Sequence, residues 1–266
     1  MKELVYFSPV GCKECRDKTK VGIDFTVAFQ PIVDVSDKSI FGYEALVRGV
    51  NNEGADFVLS QINDTNRYRF DQAIRVKAID LAKKLGLQGM LSINFLPNAV
   101  YKPETCIRAT LEAAAEMGFP TDRIMFEVTE GEKVIDNDHL CNIFKEYKRH
   151  HFKTAIDDFG AGYAGLNLLA AWQPDIIKLD MSLTRNVNSD KVRRALVFGI
   201  ISICKELDIE VIAEGIETIE ECLTLVDEGV TLFQGFLFAR PGFESLPTVS
   251  EEIWPLVIDR RTKARR

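Results

Sequence analysis

Acidic and amide residues recur at the ends of short apolar runs in this sequence of 266 residues. The runs MLSINF, RIMFEVTE and KTAIDD, for example, carry Asn94, Glu127 and Asp157 near their ends. Carboxylate and amide oxygens are the ligands that hard divalent cations prefer, and an Arg among them suits a phosphate. The residues that follow this pattern are Glu44, Arg48, Asn94, Glu127, Glu130, Asp157, Asp158, Lys178, Asp180, Glu214, Glu217 and Gln234.

Carboxylates gathered in one cleft would repel one another and raise each other's pKa, so several must be protonated or cations must bind. The donors are oxygens, and no His or Cys lies at a predicted strand end, which favours Mg²⁺ or Mn²⁺ over a structural zinc ion. Asp157 and Asp158 are adjacent, so one carboxylate can bridge two ions while its neighbour holds one of them. Two ions about 3.5–4 Å apart are a recurring device for hydrolysing phosphate esters.

Each acid taken alone has a simpler interpretation. An acid that follows a strand is often the N-cap of the next helix. Glu130 can pair with Lys133, and Asp180 can pair with Lys178. The metal hypothesis therefore depends on the coincidence of many strand ends and not on any single residue.

The apolar pattern predicts the elements that must bring these residues together. Two extended runs at 26–35 and 39–47, joined by a tight turn, predict an antiparallel pair. Helices and strands then alternate, which is typical of parallel βαβ units. The further predicted strands are 90–95, 124–128, 153–156, 176–179, 210–213 and 231–233, and the predicted helices are 70–85, 106–117, 139–149 and 190–207.

Eight strands in about 250 residues favour an α/β fold of the (β/α)₈ barrel type, and a doubly wound open sheet is the alternative. In a barrel the carboxyl ends of the strands meet at one face, where the polar residues above would converge. The helix at 190–207 is apolar on more than one face, which predicts a second packing partner such as another subunit.

Composition excludes several classes of protein. The chain has 46% apolar and 27% charged residues, an ordinary globular composition. Its net charge of −7 disfavours binding to polymeric nucleic acid. The sequence predicts neither a membrane span nor a signal peptide, so we expect a cytoplasmic protein with reduced cysteines. The expected domains are a lead-in segment at 1–24, a barrel at 25–258 and a basic tail at 259–266.

Eight motifs, in order and spacing, resemble those of the EAL-domain cyclic di-GMP phosphodiesterases of bacteria. They are FQPIVD at 29–34, EALVRG at 44–49, SINFLP at 92–97, FEVTE at 126–130, IDDFGAGYAGL at 156–166, IKLD at 177–180, IAEGIE at 212–217 and QGFLFARP at 234–241. The resemblance implies a modified TIM barrel with an antiparallel first strand, usually assembled as a homodimer. It also implies hydrolysis of cyclic di-GMP to linear pGpG with two Mg²⁺ or Mn²⁺ ions; we expect Ca²⁺ to bind without supporting turnover.

The resemblance also implies roles for matching residues. The ligands of the first metal would be Glu44, Asn94, Glu127 and Asp157, and those of the second Asp157, Asp158 and Glu214. Lys178 matches the lysine that contacts the attacking water, and Glu214 matches the position proposed as general base. Substrate binding or support of the site would fall to Gln30, Arg48, Asp180 and Gln234. Glu130 and Glu217 match acids that support the metal ligands.

One motif departs from the common family form DFGTGYSSL, since this chain reads DFGAGYAGL. Ala161 replaces a hydroxyl, and Ala164 and Gly165 replace two serines, but no metal ligand is lost. Two other functions stay open at this point. One is a receptor that binds the nucleotide with little or no turnover, and the other is a protein-interaction module. Such receptors usually lack several of the acids that this sequence retains, and the intact ligand set makes the interaction module the least favoured of the three functions.

Overall fold

The computed structural model describes residues 22–100, 102–129, 137–162 and 165–257. Strands β2 to β8 are hydrogen-bonded in sequence order and parallel, and β1 closes the ring by pairing antiparallel with β2 and β8. The strands are β1 (Phe25–Asp34), β2 (Ser39–Gly49), β3 (Met90–Asn94), β4 (Ile124–Thr129), β5 (Lys153–Phe159), β6 (Ile176–Leu179), β7 (Glu210–Ala213) and β8 (Leu232–Gln234). The predicted TIM barrel with an antiparallel first strand is confirmed, and the open-sheet alternative is wrong.

A short ninth strand, β9 (Gly242–Phe243), pairs with β1 outside the ring and was not predicted. The helices of the described residues are α1 (Ala55–Leu59), α2 (Arg67–Lys84), α3 (Pro103–Cys106), α4 (Arg108–Met117), α5 (Asn137–Arg149), α6 (Gly165–Ala171), α7 (Met181–Thr184), α8 (Lys191–Glu206) and α9 (Ile219–Asp227). Helices α1, α6, α7 and α9 were not predicted, although Thr218 and Glu221 form a capping box at the start of α9.

An apolar layer fills the inside of the ring, with one side chain from each of the eight strands. Its members are Ile32, Phe41, Met90, Met125, Ala155, Ile176, Ile212 and Leu232. Because side chains two residues apart in a strand share a face, the inward-facing residue two positions beyond Met125 is Glu127, and two beyond Ile176 is Lys178. The apolar layer thus forms the floor on which the polar residues stand.

The outer faces of the strands pack against the helices. Phe126 on β4 lies in an aromatic cluster with Phe95, Tyr147 and Phe152, at ring-centroid distances of 4.7–6.1 Å. Burying one such side chain stabilises the fold by roughly 1.5–3 kcal/mol. The barrel is therefore held from outside by apolar packing, which leaves one end of its interior free for polar chemistry.

Helix α8 packs on the barrel with the narrower of its two apolar stripes. This stripe consists of Val197, Ile201 and Cys204, whose side chains are buried. The other apolar stripe is longer and lies on a different face of the helix. That longer stripe includes Val192 and Leu196, which are 68% and 54% exposed. The prediction of two apolar faces is confirmed, and the structure decides which of them belongs to the core.

Some expectations lie outside the described residues. These include the lead-in segment up to residue 21, Glu130 and the basic tail. Cys204 and Cys222 are buried free thiols. Within the described ranges no helix combines the length and apolar character needed to cross a membrane. The domain boundaries and the cytoplasmic location stay predictions.

Candidate active site

Each strand of the ring contributes one polar residue to the same end of the barrel. Seven of these residues lie inside or at the end of their strand, and neighbouring strands place them side by side: Gln30 pairs with Glu44, and Asn94 pairs with Glu127. Glu214 follows β7 directly. In strand order the set is Gln30, Glu44, Asn94, Glu127, Asp157, Lys178, Glu214 and Gln234.

Lys178 lies at the centre of this set and is fully buried. Its Nζ is 2.8 Å from Glu214 Oε1, 2.9 Å from Glu127 Oε2 and 3.0 Å from Asp157 Oδ1. Glu44 Oε2 is slightly farther away, at 3.4 Å. One ammonium group thus joins carboxylates from four different parts of the barrel.

Amide side chains fix the orientation of Glu44. Asn94 Nδ2 donates to Glu44 Oε1 at 2.9 Å, and Gln234 Nε2 donates to Glu44 Oε2 at 2.7 Å. Gln234 Nε2 also lies 3.2 Å from Gln30 Oε1, and Gln30 in turn donates to the carbonyl oxygen of Ala239 at 3.3 Å. Both oxygens of the Glu44 carboxylate therefore have defined positions.

The acids of the site have a high affinity for protons. Burial raises the pKa of Glu127 to about 8, although the charge of Lys178 acts in the opposite direction. Burial also raises the pKa of Glu214 well above its usual range. For Asp158, burial and the neighbouring charge of Asp157 raise the pKa to about 6. Burial is the largest cause of each shift, and the repulsion between neighbouring carboxylates that was expected from the sequence adds to it.

The pKa of Lys178 is raised well above its ordinary value. Burial by itself lowers this pKa, but the charges of Asp157, Glu127, Glu214 and Glu44 together outweigh it. Lys178 is therefore a permanent cation in the site. A single ammonium group does not balance the carboxylates around it, so the site retains a capacity for further positive charge.

Two groups of carboxylates are arranged so that each could hold a metal ion. Glu44, Glu127 and Asp157 form one group, and Asp157, Asp158 and Glu214 form the other; in each, the oxygen atoms lie within 4.8 Å of one another. Glu127 Oε1 is buried and accepts no hydrogen bond from the described residues. An orphaned carboxylate oxygen in an all-oxygen donor set fits a hard cation such as Mg²⁺ or Mn²⁺. The residues therefore fit two adjacent cations that share Asp157.

A β-bulge brings two consecutive acids into one site. The pairing of β5 with β6 shifts register between Ile156 and Phe159, and Asp158 has a φ of 53°. In a regular strand Asp157 and Asp158 would point to opposite faces. The bulge redirects Asp158, so that both carboxylates reach the group that includes Glu214.

The remaining predicted residues lie at the margin of the site. Arg48 is half-buried and donates to the carbonyl oxygen of Val47 at 2.7 Å. Asp180 caps α7 by accepting from the backbone N–H of Ser182 at 2.9 Å. Glu217 is exposed and pairs with Arg185 at 2.8 Å. The structure gives Asp180 and Glu217 local partners, and their predicted roles stay predictions.

Sequence reasoning missed two residues that hold the segment after β7. Thr184 Oγ1 donates to the carbonyl oxygen of Glu214 at 2.6 Å. Glu221 is buried and accepts from the backbone N–H groups of Asn186, Glu217 and Thr218 at 2.9–3.2 Å. The Thr-x-x-Glu spacing of the capping box was the available signal for Glu221. Thr184 carries no such signal, because its partner is a backbone atom 30 residues away.

A cavity of about 390 Å³ opens beside these groups. Most of its wall is apolar, including Phe70 and Leu96, and its polar lining consists of Glu44, Asp71, Asn94, Thr129 and Asp157. Binding sites for small molecules typically combine apolar walls with a few polar groups. The cavity is thus suited to an apolar part of a ligand whose polar part faces Glu44, Asn94 and Asp157.

Comparison with solved structures finds the same fold with a bound nucleotide. A standalone versatile EAL protein from Vibrio cholerae O395, in its c-di-GMP-bound form, is 56% identical, with a TM-score of 0.85 over 87% of this chain and 98% of that one. BlrP1 of Klebsiella pneumoniae, in a calcium and cyclic diGMP complex, is 36% identical, with a TM-score of 0.81 over 86% of this chain and 58% of that one. BlrP1 has also been solved with manganese.

Curated relatives point to the same family. The antirepressor BluF of Escherichia coli, regulated by blue light and temperature, is 34% identical over 86% of this chain and 56% of its own length. Other Escherichia coli relatives are named cyclic di-GMP phosphodiesterases. The chain spans little more than half of BluF and a smaller share of these enzymes. The EAL domain family model matches residues 16–241, and this chain therefore belongs to the EAL domain family.

Proposed function

We propose that this chain is a cyclic di-GMP phosphodiesterase that hydrolyses its substrate to linear pGpG. The observation that carries the proposal is the presence of two groups of three carboxylates that share Asp157. In the first group, Glu127 Oε1 is buried and accepts no hydrogen bond from the described residues. Relatives named cyclic di-GMP phosphodiesterases, and EAL structures with bound cyclic di-GMP, support the choice of substrate.

The proposed metal ligands are the residues that the resemblance implied. Glu44, Asn94, Glu127 and Asp157 would hold the first ion, and Asp157, Asp158 and Glu214 the second. When bound, two Mg²⁺ or Mn²⁺ ions would lower the pKa of a water molecule and neutralise phosphate charge. We expect Ca²⁺ to occupy these oxygens without supporting turnover.

Lys178 and Glu214 have the proposed catalytic roles. The Lys178 ammonium would donate to the attacking water and stabilise negative charge that develops on the phosphate. Glu214 would accept the proton of that water as general base. The water oxygen forms the new bond to phosphorus, the bond from phosphorus to the ribose 3′ oxygen breaks, and the departing oxygen takes a proton from solvent.

Other side chains would position the substrate. The planar guanidinium of Arg48 suits bidentate binding of a phosphate. Gln234 donates to Glu44 and to Gln30, so we propose that both glutamines support the first metal site. We propose that a guanine ring lies in the apolar cavity beside Leu96 and Phe70.

The second candidate function is a nucleotide receptor that signals through partners. The name of BluF, an antirepressor, favours a regulatory role for some relatives. A receptor needs to bind the nucleotide but does not need Lys178 or Glu214 to act on water. The complete set of acids around Lys178 favours the enzyme over this alternative.

We further propose that the chain forms a homodimer through α6 and α8. An apolar groove of about 670 Å³ lies between these helices, and Leu166, Leu196 and Ile203 on its walls are exposed. Phe159 and Gly160, which directly follow Asp158, reach the same groove. A partner subunit there would cover exposed apolar surface and contact the loop that carries a proposed metal ligand.

The function is tested by incubating the purified chain with cyclic di-GMP and Mg²⁺ or Mn²⁺ and measuring pGpG by chromatography. Asp157→Asn should lower kcat by about 1,000-fold, because it removes a ligand shared by both metals, an effect of several kcal/mol. Asp37→Asn, in the exposed turn between β1 and β2, is the matched control and should retain full activity. Binding of cyclic di-GMP without pGpG would support the receptor, and absence of both would contradict both functions.

A further inference from the structure

Helix α2 carries a buried ion pair that the proposed reaction does not use, and its Asp71 borders the cavity beside the site. Asp71 and Arg75 are one helical turn apart, and Arg75 Nη2 donates to Asp71 Oδ2 at 2.6 Å. Both side chains are buried, and Arg75 is fully inaccessible. Removing two charges from water carries a large cost, so the pair requires further partners that hold it in place.

The first of these partners is the backbone that follows β3. Asp71 Oδ1 accepts the N–H of Leu96 at 2.9 Å. Leu96 is two residues beyond Asn94, which donates to Glu44 in the site. One carboxylate oxygen of Asp71 therefore fixes the exit of the strand that carries Asn94, while the other oxygen is fixed by Arg75.

The second partner is an aromatic cage around the guanidinium of Arg75. Its central carbon lies 5.0 Å from the ring centroid of Phe126, 5.5 Å from that of Phe95 and 5.8 Å from that of Tyr147. Tyr147 also accepts a hydrogen bond from Arg75 Nη1 at 2.8 Å. A cation over several aromatic faces in a dry interior is a strong and directional contact.

Two of the aromatic residues that form the cage are next in sequence to proposed metal ligands. Phe95 follows Asn94, and Phe126 precedes Glu127. Because side chains alternate along a strand, the rings point outward to α2 and α5 while Asn94 and Glu127 point inward. Asn94 and Glu127 are register partners on adjacent strands, and the Phe95 N–H also donates to the carbonyl oxygen of Glu127 at 3.0 Å.

We infer that Asp71 and Arg75 are positioning residues for Asn94 and Glu127. From outside the barrel they set the distance between these two ligands. Asp71 acts through its hydrogen bond to Leu96, and Arg75 acts through its contacts with the rings of Phe95 and Phe126. Their effect is confined to the first metal site, since the second site uses Asp157, Asp158 and Glu214, which lie on or after β5 and β7. This inference rests on the proposed function, because it assumes that Asn94 and Glu127 bind metal.

The test is a titration of the whole chain with Mn²⁺ alone, in which binding is measured by calorimetry and by electron paramagnetic resonance. The variant is the double substitution Asp71→Leu with Arg75→Met, since apolar replacement of a buried ion pair often preserves folding. We expect one of two Mn²⁺ sites to weaken by about 10- to 100-fold, the usual effect of losing an outer partner of a metal ligand, and the other to stay unchanged. The backbone N–H of Leu96 should also lose its protection from hydrogen exchange.

A milder variant and a control accompany it. Tyr147→Phe keeps the ring and removes one hydrogen bond to Arg75, so it should weaken the same site on the order of threefold. Asp175→Asn is the control: Asp175 Oδ2 accepts the N–H of Thr154 at 2.9 Å, near the start of β5 and away from the acids. This substitution should lower the melting temperature and leave both Mn²⁺ affinities intact.

The outcomes separate the inference from the function on which it rests. If both Mn²⁺ sites keep their affinity in the double variant and in Tyr147→Phe, the positioning role is wrong. The proposed phosphodiesterase function would not be affected by that result. Equal weakening of both sites would also overturn the positioning role, because the effect would then be general. A wild-type chain that binds no Mn²⁺ would overturn the proposed metal site first, and the positioning role with it.

Discussion

At the scale of single residues, Lys178 explains how several acids can share one cavity. The sequence alone offers two ways to relieve the repulsion between these acids, protonation and cation binding. The structure adds a third contribution, because the Lys178 ammonium lies within 3.4 Å of four carboxylates. The compensation is incomplete, because burial and the remaining repulsion together raise the pKa values of Glu127, Glu214 and Asp158.

This imbalance predicts how stability depends on pH in the presence of a chelator. The pKa of Glu127 is about 8 in the folded chain and near 4.5 in the unfolded chain. Between these pH values the folded state holds more protons, so the contribution of Glu127 is fully present below about pH 4.5 and is lost as the pH rises through 8. Glu127→Gln should remove this fall, which is on the order of a few kcal/mol.

The measurement is urea unfolding of wild type and Glu127→Gln at pH 5, 6.5 and 8. The free energy of unfolding of the wild type should decrease relative to that of the variant as the pH rises. Equal pH slopes for the two proteins would contradict the assignment. Added Mn²⁺ should reverse the trend for the wild type, because metal binding favours the deprotonated carboxylates.

At the scale of elements, the irregular end of β5 gives the site its second group of acids. The bulge between Ile156 and Phe159 places Asp158 at a φ of 53°, a left-handed conformation that costs most side chains roughly 1–2 kcal/mol. Asp tolerates this conformation better than most residues, and Gly adopts it without strain. The strained backbone conformation of Asp158 thus coincides with the position from which its carboxylate reaches the site.

Two substitutions separate the backbone conformation from the carboxylate. Asp158→Gly and Asp158→Ala both remove the carboxylate, so both should lose metal-dependent turnover. Asp158→Gly should nevertheless be more stable than Asp158→Ala by about 1 kcal/mol in urea unfolding, because only glycine accepts the positive φ without cost. An alanine variant at least as stable as the glycine variant would show that the bulge relaxes when the side chain changes.

At the scale of the whole molecule, the inside of the barrel, the helices packed around it and its outer surface have different roles. The apolar layer around Met125 and Ile176 supports the polar end of the interior, while aromatic packing outside the ring holds the strands. On the outer surface the exposed stripe of α8 and the groove beside α6 remain accessible, and the groove reaches Phe159 next to Asp158. The proposed dimer surface and the proposed metal site are therefore connected through one short segment.

The homodimer is tested by Leu196→Glu, which places a charge in the middle of the exposed stripe. Burying an unpaired charge in an interface is costly, so the dissociation constant of the dimer should rise by about 100-fold or more. Ser202→Glu is the matched control, because Ser202 is exposed on α8 about 120° around the helix from Leu196. Sedimentation equilibrium measures both, and a wild-type chain that stays monomeric would contradict the dimer.

Much of the fold was determined by local sequence patterns. Alternation of strands and helices predicted the barrel, and the acid or amide at each strand end predicted which residues converge, since the carboxyl ends of parallel strands meet on one face. The structure brings together Glu44, Glu127 and Asp157 as expected. Helix α9 was predictable from its capping box, Thr218 to Glu221, and was missed.

Tertiary structure alone decided contacts between distant parts of the chain. The single ammonium of Lys178 reaches acids from β2, β4, β5 and the segment after β7, which no local spacing encodes. The same holds for Asp71, whose i, i+4 spacing to Arg75 predicts a surface pair on a helix, although both are buried. Local patterns report periodicity and propensity, whereas burial and pairing depend on which surfaces the closed barrel places against each other.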